Sequence, residues 1–116
     1  MECWHTHWQF KTANFTIKYE TGPEYDLDLS WDEDGETAEK LEQGLLCAFV
    51  ARVAVYFDGW CLGEDYLGGC IYESPEHFID HRGGRGSYFR DLVTNAIEQA
   101  RAEIARKRLV LKTTHA

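Results

Sequence analysis

The chain has 116 residues, of which 44% are hydrophobic, 14% aromatic and 28% charged, and it carries a formal net charge of −8. That apolar mass argues against intrinsic disorder, and the length gives one domain burying roughly two-thirds of its unfolded surface. No apolar run approaches the roughly 20 residues of a membrane span, and the opening MECWHTHWQF has neither a basic leader nor an apolar block, so a protein that stays where it is made is expected.

WHTHW opens the chain as a strand, with Trp4 and Trp8 on the anchored face and His5 and His7 looking outward. NFTIKYE alternates next, placing Phe15, Ile17 and Tyr19 on one side and Thr16, Lys18 and Glu20 on the other. YDLDLSW repeats the pattern with Tyr25, Leu27, Leu29 and Trp31 against Asp26, Asp28 and Ser30. The two runs are expected to pair as a hairpin through the TGP loop at Thr21 to Pro23, with Tyr19 opposite Tyr25 and Lys18 opposite Asp26.

ETAEKLEQG reads as a short helix closed by Gly44, because glycine takes the left-handed conformation cheaply just past a helix end. LLCAFVARVAVYF is apolar on both faces, broken only by Arg52, and predicts an interior strand. Asp58-Gly59 turns it into WCLGEDYLGGCIY, where Gly68-Gly69 marks a bulge or a close backbone approach. SPEHFIDHRGGRG gives at most two helical turns before its glycines. From Ser87, a candidate N-cap, a long helix follows with Phe89, Leu92, Val93, Ala96, Ile97, Ala100 and Ile104 as one apolar stripe and Arg106, Lys107 and Arg108 in its last turn. Whether LVLKTTHA continues that helix is left open. The elements sum to an α+β fold: an antiparallel sheet of four to five strands, the long helix across one face, and one or two short helices.

Charge is divided unevenly along the chain. Residues 1 to 43 hold eleven acids against three bases, and the remainder holds nine of each. The acidic third disfavours nucleic acid and membrane surfaces and favours encounter with basic proteins. Its densest part supplies the candidate partner-binding residues Asp26, Asp28, Asp32, Glu33, Asp34 and Glu36. Calcium is a poorer reading, since aligning Gly35 with an EF-hand glycine makes Ser30, Asp32 and Asp34 ligands but puts Leu41 where the closing Glu belongs.

Cys3, His5, His7, His77 and His81 do not form a zinc motif, and Phe78 stands where H-E-x-x-H needs its catalytic Glu. Four cysteines without C-x-x-C spacing read as reduced thiols. No nucleophile motif is present, and neither metal nor cofactor is expected. The basic loop HRGGRGS suggests a second class of function, capture of a nucleotide-like ligand with Arg82 and Arg85 on phosphate and Tyr88 and Trp60 stacking on the base.

DYLGGCIYESPEHFIDHR and GSYFRDLVTNAIEQAR, together with WHTHW and YDLDLS, resemble short proteins encoded by tailed phages and proteobacterial prophages. The likeness covers most of the chain. It implies a phage origin and expression in a bacterial cytoplasm and leaves the role open; small phage accessory proteins of this kind commonly act by binding, and the acidic charge disfavours direct nucleic-acid or membrane contact. Small acidic phage proteins of this kind include inhibitors of host machinery, anti-CRISPR proteins among them, that occupy a basic nucleic-acid-binding surface. Monomer and homodimer both fit, because an exposed edge strand pairs readily with a second copy.

Overall fold

The computed structural model describes residues 4–79 and 88–114, with side chains through 108. The described residues form a four-stranded antiparallel sheet, β1 (His5–Lys11), β2 (Phe15–Pro23), β3 (Cys47–Phe57) and β4 (Trp60–Tyr72), in the order β1-β2-β3-β4. Three helices accompany it: α1 (Glu36–Glu42), α2 (Pro75–Ile79) and α3 (Tyr88–Thr114). This is the expected α+β architecture, and β3 is interior as its two apolar faces require. No helix among the described residues is long and apolar enough to cross a membrane.

One face of the sheet carries α3, which packs mainly on β4 and β3. The core is built from Tyr19, Phe49, Val53, Val55, Cys70 and Phe78 below and Leu92, Ala96 and Ala100 above. Those helical residues recur every four positions, so the apolar stripe is the buried face. Close approach of helix to sheet depends on Gly63, where an added Cβ would run into the Ala96 carbonyl oxygen and lie 2.7 Å from the Ala100 nitrogen. Tyr19, Phe78 and Phe89 stack or meet edge to face with centroids 5.5–6.3 Å apart, the preferred geometry for aromatic pairs. The Tyr19 hydroxyl donates to the Pro75 carbonyl at 2.8 Å, fixing α2.

Local signals are met where the backbone demands them. Asp58 and Gly59 both have positive φ, 50° and 82°, the turn whose twist suits a two-residue hairpin. Gly44, at φ 78°, closes α1: its N–H donates to the Leu41 carbonyl while the Leu45 N–H donates to Lys40, the Schellman pairing. Gly68 and Gly69 fall where the β3–β4 register shifts, opposite Val50, so the anticipated bulge is present.

Two expectations are corrected. The 25–31 run is not a strand and makes no hairpin with β2; it belongs to an irregular connection between β2 and α1. β2 continues through Thr21, Gly22 and Pro23, and its two sides are taken by β1 and β3. Tyr19 therefore faces Trp8 and Val53, and Lys18 faces Gln9 and Ala54. Pro23 is tolerated because β1 pairing has ended by Thr21, so its missing N–H costs the ladder nothing.

The second correction concerns β1. Its register slips between Thr6 and Trp8, making His7 an extra residue. A bulge inverts the parity of the strand, so Trp4 and Trp8 lie on opposite faces. Trp8 meets Phe89 under the helix, while Trp4 reaches Tyr66 on the other face. His7 turns inward against Tyr19, and His5 stays exposed.

Candidate functional site

The acidic connection is ordered by its own carboxylates. Asp and Ser offer the backbone local partners that compete with a sheet ladder, and here they win. Glu24 accepts from the Asp26 N–H at 3.1 Å, Asp28 from Ser30 at 2.9 Å and Asp34 from Glu36 at 3.0 Å. Asp32 reaches across the start of α1, accepting from the N–H groups of Thr37 (3.2 Å) and Ala38 (2.9 Å). These are the donors a helix start leaves without intrahelical partners. The Ala38 hydrogen bond first, then that of Thr37, holds the Asp32 carboxyl below its ordinary range.

The predicted partner-binding residues thus divide by role. Asp28, Asp32 and Asp34 are occupied in turns and in the helix start. Glu36 pairs with Lys40 at 3.0 Å on α1. Asp26 and Glu33 are exposed. Among the described residues no group of three or more His, Cys, Asp or Glu is arranged to hold a metal ion.

The aromatic residues of this segment were expected in the core and are instead at the surface. Tyr25 is 79% exposed and Trp31 58% exposed. Trp31 is nonetheless oriented, since its indole N–H donates to the Asp28 carbonyl at 2.9 Å. It forms one wall of a groove of about 360 Å³ whose floor is the end of β4 from Leu67 to Tyr72 and whose other wall is Tyr88. Glu24 ties the segment to that floor, accepting from the Gly69 N–H at 2.6 Å.

The residues proposed for a nucleotide do not gather in one place. Trp60 begins β4 and is 74% exposed beside the Asp58-Gly59 turn, whereas Tyr88 lies against the opposite end of that strand. Twelve residues of extended chain separate those ends by about 40 Å. Arg82, Arg85 and His81 lie outside the described residues, as do Cys3 and Ser87.

Opposite α3, the sheet carries a polar and aromatic cluster that sequence reasoning did not assemble. Arg52 donates to Glu64 at 2.6 Å, lies 3.7 Å from Glu20, and packs against the neighbouring rings of Trp4 and Tyr66 at 5.2 and 5.6 Å from their centroids. Tyr56 donates to Glu20 at 3.2 Å. Burial, then the Glu20 charge, pushes the Tyr56 hydroxyl up to about 12. Partial burial opposes ionisation of Glu64, but hydrogen bonds from Arg52 and Tyr66 and the Arg52 charge outweigh it, keeping the carboxyl below its ordinary range. The signal available in the sequence was the single charge interrupting the β3 run.

Thr21, His7 and Glu76 stand in hydroxyl, imidazole, carboxylate order, with His7 Nε2 2.6 Å from Thr21 Oγ1 and Nδ1 3.4 Å from Glu76. A nucleophile has to reach its substrate, and Thr21 is buried inside the sheet. The arrangement ties β1, β2 and α2 together. Cys47, Cys61 and Cys70 are free thiols; burial pushes Cys70 up to about 11, away from the reactive thiolate.

Comparison with protein-family models, with curated proteins and with solved structures finds no match to the chain.

Proposed function

We propose that the chain is a non-enzymatic binding protein whose acidic segment, residues 24–46, docks on a basic surface of a partner protein. The observation that carries this reading is the exposure of Tyr25 and Trp31 among carboxylates. Exposed aromatics ringed by charge have the make-up of an interface anchor with a polar rim. Side-chain hydrogen bonds order the segment in advance, which lowers the entropy cost of association. The surrounding carboxylates steer basic partners and repel phosphate.

The resemblance to phage and prophage proteins supplies the kind of partner. It is a factor in the bacterial cytoplasm, such as a nucleic-acid-binding defence complex, whose basic surface the acidic segment occupies.

The test is affinity capture from a proteobacterial host lysate with quantitative mass spectrometry, comparing wild type with a variant carrying Tyr25→Ala, Asp26→Lys and Glu33→Lys. These positions are exposed and leave the Asp32 helix-start contacts intact. A specific partner retained by wild type, released by salt and lost from the variant is expected. Retention of that partner by the variant overturns the reading.

A further inference from the structure

The groove between Trp31 and Tyr88 identifies the form in which a partner engages. We propose that it receives an extended peptide segment with alternating basic and apolar residues, added alongside the end of β4 as a further strand. This inference rests on the acidic-segment reading and names the partner's conformation.

β4 is the last strand of the sheet, so its outer edge carries main-chain groups that no strand pairs. Along its first half, that edge is closed by side chains. The Glu64 N–H donates to Gln99 on α3 at 3.3 Å, and the Tyr66 N–H to the neighbouring Asp65 carboxylate at 3.0 Å. After the bulge at Gly68-Gly69 the closure changes character. The Gly69 N–H is taken by Glu24, a residue of the acidic segment itself. By the period-two alternation, Ile71 shares that edge, and the edge there forms the floor of the groove. A strand laid on this floor finds main-chain partners below and an aromatic wall on either side, the arrangement by which edge strands recognise peptides.

Charge selects the occupant. The Glu24 carboxylate lies at the floor beside Gly69, and Asp28, whose main-chain carbonyl accepts the Trp31 indole N–H, is an exposed acid held next to that ring. Carboxylates of the acidic segment beside two exposed aromatic rings favour a guanidinium or ammonium, which gains from the ring faces as well as from the acids. The same carboxylates repel nucleotide phosphates. Alternation in the peptide follows from the strand geometry, since every second side chain enters the groove and the others face the acidic rim.

The experiment is fluorescence anisotropy with a rhodamine-labelled peptide Arg-Val-Arg-Val-Arg, with its counterpart having Pro in place of the second Val so that all three arginines are kept, and with intact cytochrome c as a folded basic competitor. Binding of the first peptide is expected to weaken about tenfold in Trp31→Ala and in Tyr88→Ala, the scale of an aromatic anchor, and to be unchanged in Trp60→Ala at the far end of β4. The proline peptide, lacking one main-chain donor, is expected to bind about tenfold more weakly. Equal binding by Trp31→Ala, Tyr88→Ala and wild type overturns the groove. Salt-sensitive binding of cytochrome c with no binding of the peptide also overturns it, while leaving the acidic-segment reading standing. Failure of both basic probes to bind overturns both.

Discussion

Glu20 and Arg52 face each other across the β2–β3 ladder and approach to 3.7 Å on the sheet face opposite α3. Their side chains are 9% and 13% exposed, so neither charge is fully solvated. Removing one partner of a buried pair leaves the other uncompensated, which costs about 3 kcal/mol. Arg52→Met is therefore expected to destabilise the protein by about that amount in urea titration. Adding Glu20→Gln should recover part of the loss, since the more buried of the two carboxylates that Arg52 serves is then neutral and only Glu64 is left without it. Two losses that simply add would show that the residues act independently.

Gly63 lies under α3, where any Cβ meets helix backbone rather than a movable side chain. Gly63→Ala must push the helix from the sheet, and a cost of about 2–3 kcal/mol is expected, near the upper end for overpacking. At Gly22 the obstacle is the Trp4 ring, whose Cζ3 would lie 2.9 Å from the added carbon. Gly22→Ala should cost less and change Trp4 fluorescence, because a terminal ring swings aside more easily than a helix. Comparing the two denaturation midpoints, with fluorescence for the second, checks both.

Much of this fold was legible in the sequence because its signals were local. The β3 run, the Asp58-Gly59 turn, the glycine closing α1 and the stripe on α3 each follow from one stretch of chain. The 25–31 segment was misread because alternating Leu and Asp is equally compatible with a strand and with a chain of carboxylate-stabilised turns. The choice depends on whether a strand edge is available, and both sides of β2 were already occupied. The β1 faces were misread for a related reason, since one extra residue at His7 inverts every later side chain. The Arg52 cluster draws on the start of the chain and three strands. No sequence window contains it, although the lone charge in β3 marked its centre.

Asp32 links the acidic segment to the stability of α1. Its carboxyl is held below the ordinary range by hydrogen bonds from Ala38 and Thr37, so the folded state favours the ionised form. For a depressed acid, the stabilisation is present above the unfolded value near 3.8 and fades as pH falls through the lower folded value. α1 is expected to lose order in acid, and Asp32→Asn should reproduce much of that loss at neutral pH. Amide hydrogen exchange at Thr37 and Ala38 reads this directly: protection that falls in the variant, and in wild type below pH 4, is expected. Unchanged protection would detach Asp32 from the helix. The same contact makes charge reversal at Asp32 a poor probe of partner binding, because it disturbs the helix as well as the charge.

Tyr56 gives a second pH dependence, of opposite direction. Burial and then the nearby Glu20 charge push its hydroxyl up to about 12 from an ordinary 10.0. Between those values the unfolded chain has released the proton and the folded chain still holds it, so stability falls as pH rises through the window. Tyr56 shares this direction with Tyr66, in the same cluster, where burial and then the hydrogen bond with Glu64 also raise the hydroxyl. Tyr56→Phe removes one titrating group while keeping the ring beneath Lys18, whose Nζ lies 5.1 Å from its centroid. The variant loses the hydrogen bond to Glu20 and should be somewhat less stable at pH 8. Its stability should then decline less steeply between pH 10 and 12. Urea titrations at stepped pH, with tyrosinate absorbance followed in parallel, measure both. An equal slope in wild type and variant would mean that Tyr56 ionises no later in the fold than in the unfolded chain, and that its contact with Glu20 does not hold the proton.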